Sequence, residues 1–329
     1  MHTIGIIGAG AWGTALAMAA ARAGNAVILQ AHEAEVVQSI NANHENTLFL
    51  PGVSLDPAIR ATVDIGEAVQ ADAVLLVAPA QFLRPVLSAA QPHWKPGTPA
   101  IICAKGIEQG SLKLLSDVVE ETLGDAAPVA VLSGPTFAIE VAREMPTAVT
   151  LACVDEGLGQ ALCTRLSSRC FRPYYSYDVL GAQLGGAVKN VLAIACGIVD
   201  GKKMGDNGRA ALITRGLAEI ARLGLVMGAD EHTLMGLSGL GDLTLTCNAM
   251  QSRNFSLGVA LGQGRSLEDI LGERSSVTEG VHTAAAVTEL ARREQVDMPI
   301  CQAVDAVLNL GADLDAIIQG LLTRPLNVE

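Results

Sequence analysis

The stretch that most constrains this chain stands almost at its start: "IGIIGAGAWGTALAMAAARAG", residues 4–24. Gly8, Gly10 and Gly13 form a G-x-G-x-x-G pattern after the apolar residues Ile4, Ile6 and Ile7. An Ala-rich run, Ala15–Ala23, comes next and is closed by Gly24, and a second apolar run, Ala26–Gln30, follows. Alone the spacing is weak, because a chain with 34 glycines produces it by chance. The order strand, tight turn, helix, strand supplies the mechanism. Gly8 permits the turn, Gly10 lets the backbone approach the phosphates of a dinucleotide, and Gly13 lets helix pack on strand. The helix N-terminus then offers free N–H groups to an anion. The plainer alternative is a glycine turn that only joins strand to helix.

Further β-like runs lie at Asp72–Ala78, Ala100–Ala104, Val129–Ser133, Ala148–Cys153 and Phe171–Ser176. Helical patterns intervene at Phe82–Ala90, Ser111–Leu123 and Phe137–Arg143. This alternation predicts a doubly wound, mainly parallel sheet. Strands that are apolar throughout agree with burial on both faces. From about Asp178 the β-like runs nearly vanish, and Ala182–Asp200, Ala210–Met227, Ser256–Gly262, Thr283–Glu294 and Gln302–Leu310 read as helices. The expected class is therefore α/β: an N-terminal Rossmann-like sheet domain over residues 1–178 that binds a dinucleotide, then an all-α C-terminal domain over residues 179–329 for substrate and catalysis. A chain of 329 residues is long enough for two such cores.

The net charge of −12 disfavours nucleic acid or anionic lipid as a partner. It also means that an anionic substrate must be gathered by a few local cations. The longest apolar runs, such as Ala73–Ala80 and Val191–Val199, are short of a membrane span, so no integral membrane segment is expected. The first strand begins by Thr3, which leaves no room for a signal peptide. Seven scattered cysteines without a C-x-x-C pair fit reduced thiols in a cytoplasmic protein. No ligand spacing joins the six histidines and no G-x-S-x-G elbow occurs, so neither a metal site nor a hydrolase is expected.

Lys189 is the most telling cation. It interrupts "GAQLGGAVKNVLAIACGIVD", otherwise apolar or small for two turns on either side, and its helical neighbours Gly185, Gly186 and Ala193 have almost no bulk. Such a lysine has room for a ligand beside it, and desolvation would lower its pKa toward that of a working proton donor; alternatively it snorkels out of a buried helix. Lys105 follows "AIICA", where strand gives way to loop on the ligand-binding edge of such a sheet. In "SGPTFAIEVA", Thr136 opens a helix after Gly134, either as a cap or as part of an anion site. Asp242 precedes Ser252-Arg253-Asn254, a trio that is either a surface loop or a planar phosphate fork flanked by neutral donors. Glu279 stands before another helix, where a first-turn acid is often only a dipole partner. His32 and Glu33 stand where the second strand ends, at the place that reads the ribose. An imidazole there permits a 2′-phosphate, a carboxylate turned inward would restore NADH preference, and both are equally read as solvated loop residues.

The segments "GAGAWGTALA", "LFLPG", "AKGIE", "SGPTFAIEVA", "GGAVKNVLAIACGI", "AALITRGLAE", "GLSGLGDL", "SRN" and "EG" occur in this order from the first strand to about residue 310. Together they resemble the bacterial-type NAD(P)-dependent glycerol-3-phosphate dehydrogenases. The resemblance implies reversible reduction of dihydroxyacetone phosphate by NADPH or NADH to sn-glycerol 3-phosphate for phospholipid synthesis. It makes Lys189 the proton donor and acceptor and gives Lys105 contact with both substrate and cofactor. Gly134, Thr136, Asp242, Ser252, Arg253 and Asn254 then touch the substrate, with Arg253 on its phosphate and reaching the cofactor. Ala11, Trp12, His32, Ala138, Val277 and Glu279 are assigned to the cofactor together with Gly8, Gly10 and Gly13. Ala11 in place of a frequent serine, Phe49 in place of a frequent tyrosine, Gln30 in place of a common tryptophan, and the pair Lys202-Lys203 depart from the family pattern. They bear on cofactor preference and affinity rather than on the reaction. The rival readings are a two-domain dehydrogenase for a β-hydroxy acid or 6-phosphogluconate, and a non-catalytic dinucleotide sensor. The apolar second half points weakly to a homodimer.

Overall fold

The computed structural model describes residues 2–273 and 278–325. Eight strands form one sheet: β1 Thr3–Ile7, β2 Ala26–Gln30, β3 Ile59–Thr62, β4 Ala73–Leu76, β5 Ala100–Ile102, β6 Val129–Ser133, β7 Thr147–Cys153 and β8 Phe171–Ser176. Their order is β3-β2-β1-β4-β5-β6-β7-β8. All neighbours are parallel except β6 and β7. The chain therefore winds outward from β1 in one direction and from β4 in the other, which puts the switch point of the sheet between them. Helices α1 Ala11–Arg22, α2 Ala34–Asn43, α3 Ile65–Ala68, α4 Leu83–Ala90, α5 Leu115–Leu123, α6 Ala138–Ala142 and α7 Glu156–Leu166 connect the strands. The regular elements after β8 among the described residues are helices: α8 Val179–Gly201, α9 Asp206–Met227, α10 Glu231–Leu234, α11 Asp242–Thr246, α12 Arg253–Gly262, α13 Leu267–Gly272, α14 Glu279–Arg293, α15 Pro299–Asn309 and α16 Leu314–Leu322.

Two compact units result. One holds the residues up to Lys105 together with Lys113–Gln183; the other holds Gly106–Leu112 together with the residues from Leu184 onward. In the sheet unit the alternation of each strand divides its side chains between two cores. Ile4, Ile6, Leu75 and Ile101 join the core under α1, α2 and α7. Ile7, Val74, Leu76 and Ile102 join the opposite core, which includes Leu83 and Leu87 of α4 and Val118 and Val119 of α5. That is why these strands carry no polar face.

The glycine turn is built by close approach. Gly8 adopts φ +108°, and a Cβ on Gly13 would stand 1.8 Å from the Gly8 carbonyl oxygen. A side chain at Gly13 would thus lift α1 off β1. In the helical unit the same device joins α8 to α12, since a Cβ on Gly197 would lie 2.1 Å from the Phe255 carbonyl oxygen and one on Gly258 2.1 Å from that of Ile194.

Several elements differ from the sequence expectations. β3 was not anticipated: at four residues with the exposed Arg60 inside it, it carries too little periodicity to announce itself. Helices α2, α3, α7, α10, α11 and α13 are likewise absent from the expectation, being short or interrupted by polar and small residues, and so is α16, although Leu314, Ile317, Ile318 and Leu321 keep a helical apolar stripe there. The helix expected from Ser111 begins only at Leu115. One helix among the described residues, α8, is long and apolar enough to cross a membrane, contrary to the reading that no apolar segment reaches that length. Lys189 divides the run in the sequence, but the helix continues through it, and its apolar window lies wholly inside the protein.

Candidate active site

In the sheet unit, Gly8, Gly10, Ala11, Trp12 and Gly13 form the link from the C-terminal end of β1 into α1. A Cβ on Gly10 would meet no atom within 4 Å, so the turn is open at that residue, while no side chain caps the N-terminus of α1. An open glycine in front of an uncapped helix N-terminus fits the pyrophosphate of a dinucleotide. His32 is exposed and Glu33 half-buried as the N-terminal residue flanking α2. The side-chain amide of Gln30 donates to the carbonyls of Ala31 (3.0 Å) and Val63 (3.4 Å), and so is spent on the loops that leave the sheet.

Lys105, Gly134 and Thr136 come together. The Lys105 Nζ donates to the Gly134 carbonyl oxygen at 3.2 Å, and the Thr136 hydroxyl donates to the same oxygen at 3.2 Å. The reading of Thr136 as a helix cap is corrected, because Phe137 occupies the N-cap of α6. The β6–α6 turn spends the threonine hydroxyl on its own backbone instead. Ala138 is the first residue of α6 and is half-buried.

In the helical unit, Lys189 is 6 % exposed and does not snorkel. Its Nζ donates to Asp242 Oδ1 at 2.5 Å and to Thr246 Oγ1 at 2.8 Å; the Thr246 hydroxyl lies 3.3 Å from the same carboxylate oxygen. Asp242 is wholly buried. A carboxylate this close favours the ammonium form of the lysine, opposing the loss of charge that burial alone would bring. The small face of α8 has a different use from the one expected. At Gly185 it is filled rather than left open for a ligand, since a Cβ there would lie 2.7 Å from the Ser238 carbonyl oxygen. That contact admits the backbone of residues 237–241, which leads directly into Asp242 at the start of α11. Thr246 escaped the sequence reading, although its place one helical turn after Asp242 was the available signal.

Ser252, Arg253 and Asn254 open α12 in three different ways. The Ser252 Oγ caps the helix by accepting from the Phe255 N–H at 3.2 Å. Arg253 is exposed. Asn254 is buried; its Nδ2 donates to Asn190 Oδ1 at 2.9 Å and its Oδ1 accepts from the Gly280 N–H at 3.1 Å, joining α12 to α8 and α14. Glu279, half-buried, is the first residue of α14, and Val277 lies outside the described residues. Among the described residues no group of three or more His, Cys, Asp or Glu is placed to hold a metal ion, and all seven cysteines are free.

The family models for the N-terminus and C-terminus of NAD-dependent glycerol-3-phosphate dehydrogenase match residues 3–158 and 178–319. The chain belongs to the NAD-dependent glycerol-3-phosphate dehydrogenase family. A Rhodospirillum rubrum relative named glycerol-3-phosphate dehydrogenase (NAD(P)+) is 62 % identical over 327 residues, 99 % of this chain and 93 % of that protein. One from Parvibaculum lavamentivorans is 58 % identical over 99 % of this chain and 98 % of its own length. The crystal structure of glycerol-3-phosphate dehydrogenase from Coxiella burnetii superposes with a TM-score of 0.94 at 40 % identity, covering 98 % of this chain and 99 % of that one. The protein is therefore an NAD(P)-dependent oxidoreductase, and the reading as a sensor without catalysis falls. A ketopantoate reductase from Ralstonia eutropha, at 18 % identity and a TM-score of 0.60, shares the fold alone.

Proposed function

We propose that this enzyme reversibly reduces dihydroxyacetone phosphate to sn-glycerol 3-phosphate, a precursor of glycerophospholipids, with Lys189 as the proton donor to the reacting oxygen. The observation that carries the reading is the buried ammonium of Lys189, held by Asp242 and Thr246. The nicotinamide, when bound, supplies the hydride to the carbonyl carbon. The chain's part is to stabilise and protonate the alkoxide that develops on the oxygen. A fixed ammonium does both: its charge opposes the growing negative charge, and one N–H passes to the oxygen to give the alcohol. Asp242 and Thr246 hold the Nζ in place, so that little reorganisation is needed in the transition state. In the reverse direction the neutral amine accepts the proton from the alcohol.

Arg253 is assigned to the substrate phosphate, where a planar guanidinium forms paired bonds and binding energy remote from the reacting carbon orients it. Ser252 and Asn254 act chiefly by setting the start of α12 that carries Arg253, and their substrate contacts are additional to those structural bonds. Lys105, Gly134 and Thr136 contribute the substrate contacts of the sheet unit. Val277, Glu279, Ala138 and His32 are assigned to the cofactor, which is NADPH or NADH. The test is Lys189→Ala, assayed by cofactor absorbance with dihydroxyacetone phosphate and by cofactor titration. We expect kcat to fall by about 10²–10⁴, the usual contribution of a positioned acid, with cofactor affinity retained. Equal loss of turnover and cofactor binding would make the residue structural.

A further inference from the structure

Asn46 lies 37 residues from the glycine turn in sequence yet is bonded to it. It is wholly buried. Its Nδ2 donates to the Ala9 carbonyl oxygen at 2.8 Å and to Thr14 Oγ1 at 2.8 Å. Its Oδ1 accepts from the Phe49 N–H at 3.1 Å, and its own carbonyl accepts from the Leu50 N–H at 2.9 Å. One side-chain amide thus uses both N–H groups on the turn and the first turn of α1, and its oxygen on the loop that carries Phe49.

Ala9 stands between Gly8 and Gly10, and its carbonyl belongs to the same rigid peptide plane as the Gly10 N–H. No described peptide bond is cis. In a trans peptide the C=O and the following N–H point in opposite directions. A carbonyl held toward Asn46 therefore turns the Gly10 N–H away from it. That plate rotates about Ala9 ψ and Gly10 φ, the glycine leaves its own torsion unhindered, and the rotated form would present a carbonyl where an anion needs a donor. The Thr14 hydroxyl supplies a second, longer bond to the same oxygen at 3.3 Å.

We propose that Asn46 is a positioning residue for the dinucleotide: by bonding the Ala9 carbonyl it aims the Gly10 N–H for the pyrophosphate and ties loop 44–50 to the same turn. The inference rests on the reading of the glycine turn as the pyrophosphate site. Asn46→Asp keeps the shape but sets an acceptor against the Ala9 oxygen; Thr14→Val removes the Thr14–Ala9 and Asn46–Thr14 bonds but leaves the Asn46–Ala9 bond in place. The readout is calorimetric binding of ADP-ribose, which carries the pyrophosphate and no nicotinamide, with the melting temperature of each free protein recorded.

Loss of about one neutral hydrogen bond's worth of preorganisation predicts a Kd raised about tenfold in Asn46→Asp and about threefold in Thr14→Val. The KM for the cofactor rises in parallel, while the KM for dihydroxyacetone phosphate moves by less than about twofold. Both variants binding ADP-ribose like the wild type, whatever their melting temperatures, would reduce Asn46 to a support for its loop. A wild-type protein that binds NADPH but not ADP-ribose would instead remove the pyrophosphate-site reading itself.

Discussion

Replacing Asp242 by Asn tests the arrangement around Lys189 most directly. The amide keeps the shape of the carboxylate and still accepts from the Lys189 Nζ through Oδ1, but it removes the countercharge. Both groups are buried, Asp242 completely. Breaking a buried ion pair by deleting one partner costs about 3–5 kcal/mol, because the other charge is left uncompensated. The retained hydrogen bond places the expected loss at the lower end, about 3 kcal/mol. A unit of about 150 residues loses about 2–4 °C per kcal/mol, so its melting temperature should fall by about 6–12 °C. The loss has a sign in pH as well. In the variant the folded state disfavours the ammonium, so the unfolded chain binds more protons and stability rises with pH. The gap between variant and wild type should therefore narrow between about pH 7 and about pH 9.5, where lysine begins to titrate. Calorimetric melting at the two pH values measures both effects. Turnover of dihydroxyacetone phosphate should fall by about a hundredfold near neutrality and recover in part as the pH is lowered, because the missing acid form is restored. A variant that melts within about 2 °C of the wild type, with the same gap at both pH values, would refute the reasoning that Asp242 compensates a buried charge.

Glu219 on α9 accepts from the Ile300 and Cys301 N–H groups at 2.7 and 3.1 Å, at the start of α15. Burial pushes its carboxyl above the ordinary range, and these bonds offset that in part. Its contribution to stability is thus fully present below the unfolded carboxyl value and is lost as pH rises through the folded one. Chemical denaturation across about pH 4 to 7.5 should show wild type losing ground to Glu219→Gln as pH rises, and a parallel pair of curves would contradict this. Gly258→Ala should cost about 1–3 kcal/mol in the same assay, since its Cβ would press on the Ile194 carbonyl oxygen and force α8 and α12 apart. Retention of full stability by that variant would show that the helix crossing can open without cost.

Much of the sheet unit was legible because its strands are local and strongly patterned. Ile4, Ile6 and Ile7 around Gly5, "DAVLLVA" and "AIICA" have nowhere to go but a sheet covered on both faces. The glycines at 8, 10 and 13 then mark the turn by spacing alone. β3 and α2 were not legible, because Arg60 in β3 and the polar residues Glu35, Gln38, Ser39, Asn41 and Asn43 of α2 leave these short segments with no clear period. The caps were read less well than the helices. At Thr136 a local rule pointed to a cap, while the chain placed Phe137 there and turned the hydroxyl back to the Gly134 oxygen.

For the candidate site, the sequence by itself determined which groups stand out: a single lysine in an apolar helix, an aspartate in a glycine-rich turn, an arginine between two neutral donors. It also determined the family, through segments that recur in order along the chain. Only the tertiary structure decided how those groups are used. Lys189 meets Asp242 across 53 positions and Thr246 across 57, and Asn46 reaches the Ala9 carbonyl across 37. The physical reason is the range of each kind of signal. Hydrophobic periodicity and turn chemistry act over a few residues and are written locally. A hydrogen bond acts over about 3 Å of space and has no preferred separation along the chain. Gly185 shows the difference in one residue: its smallness was visible, but only packing reveals that the space is filled by the backbone that delivers Asp242.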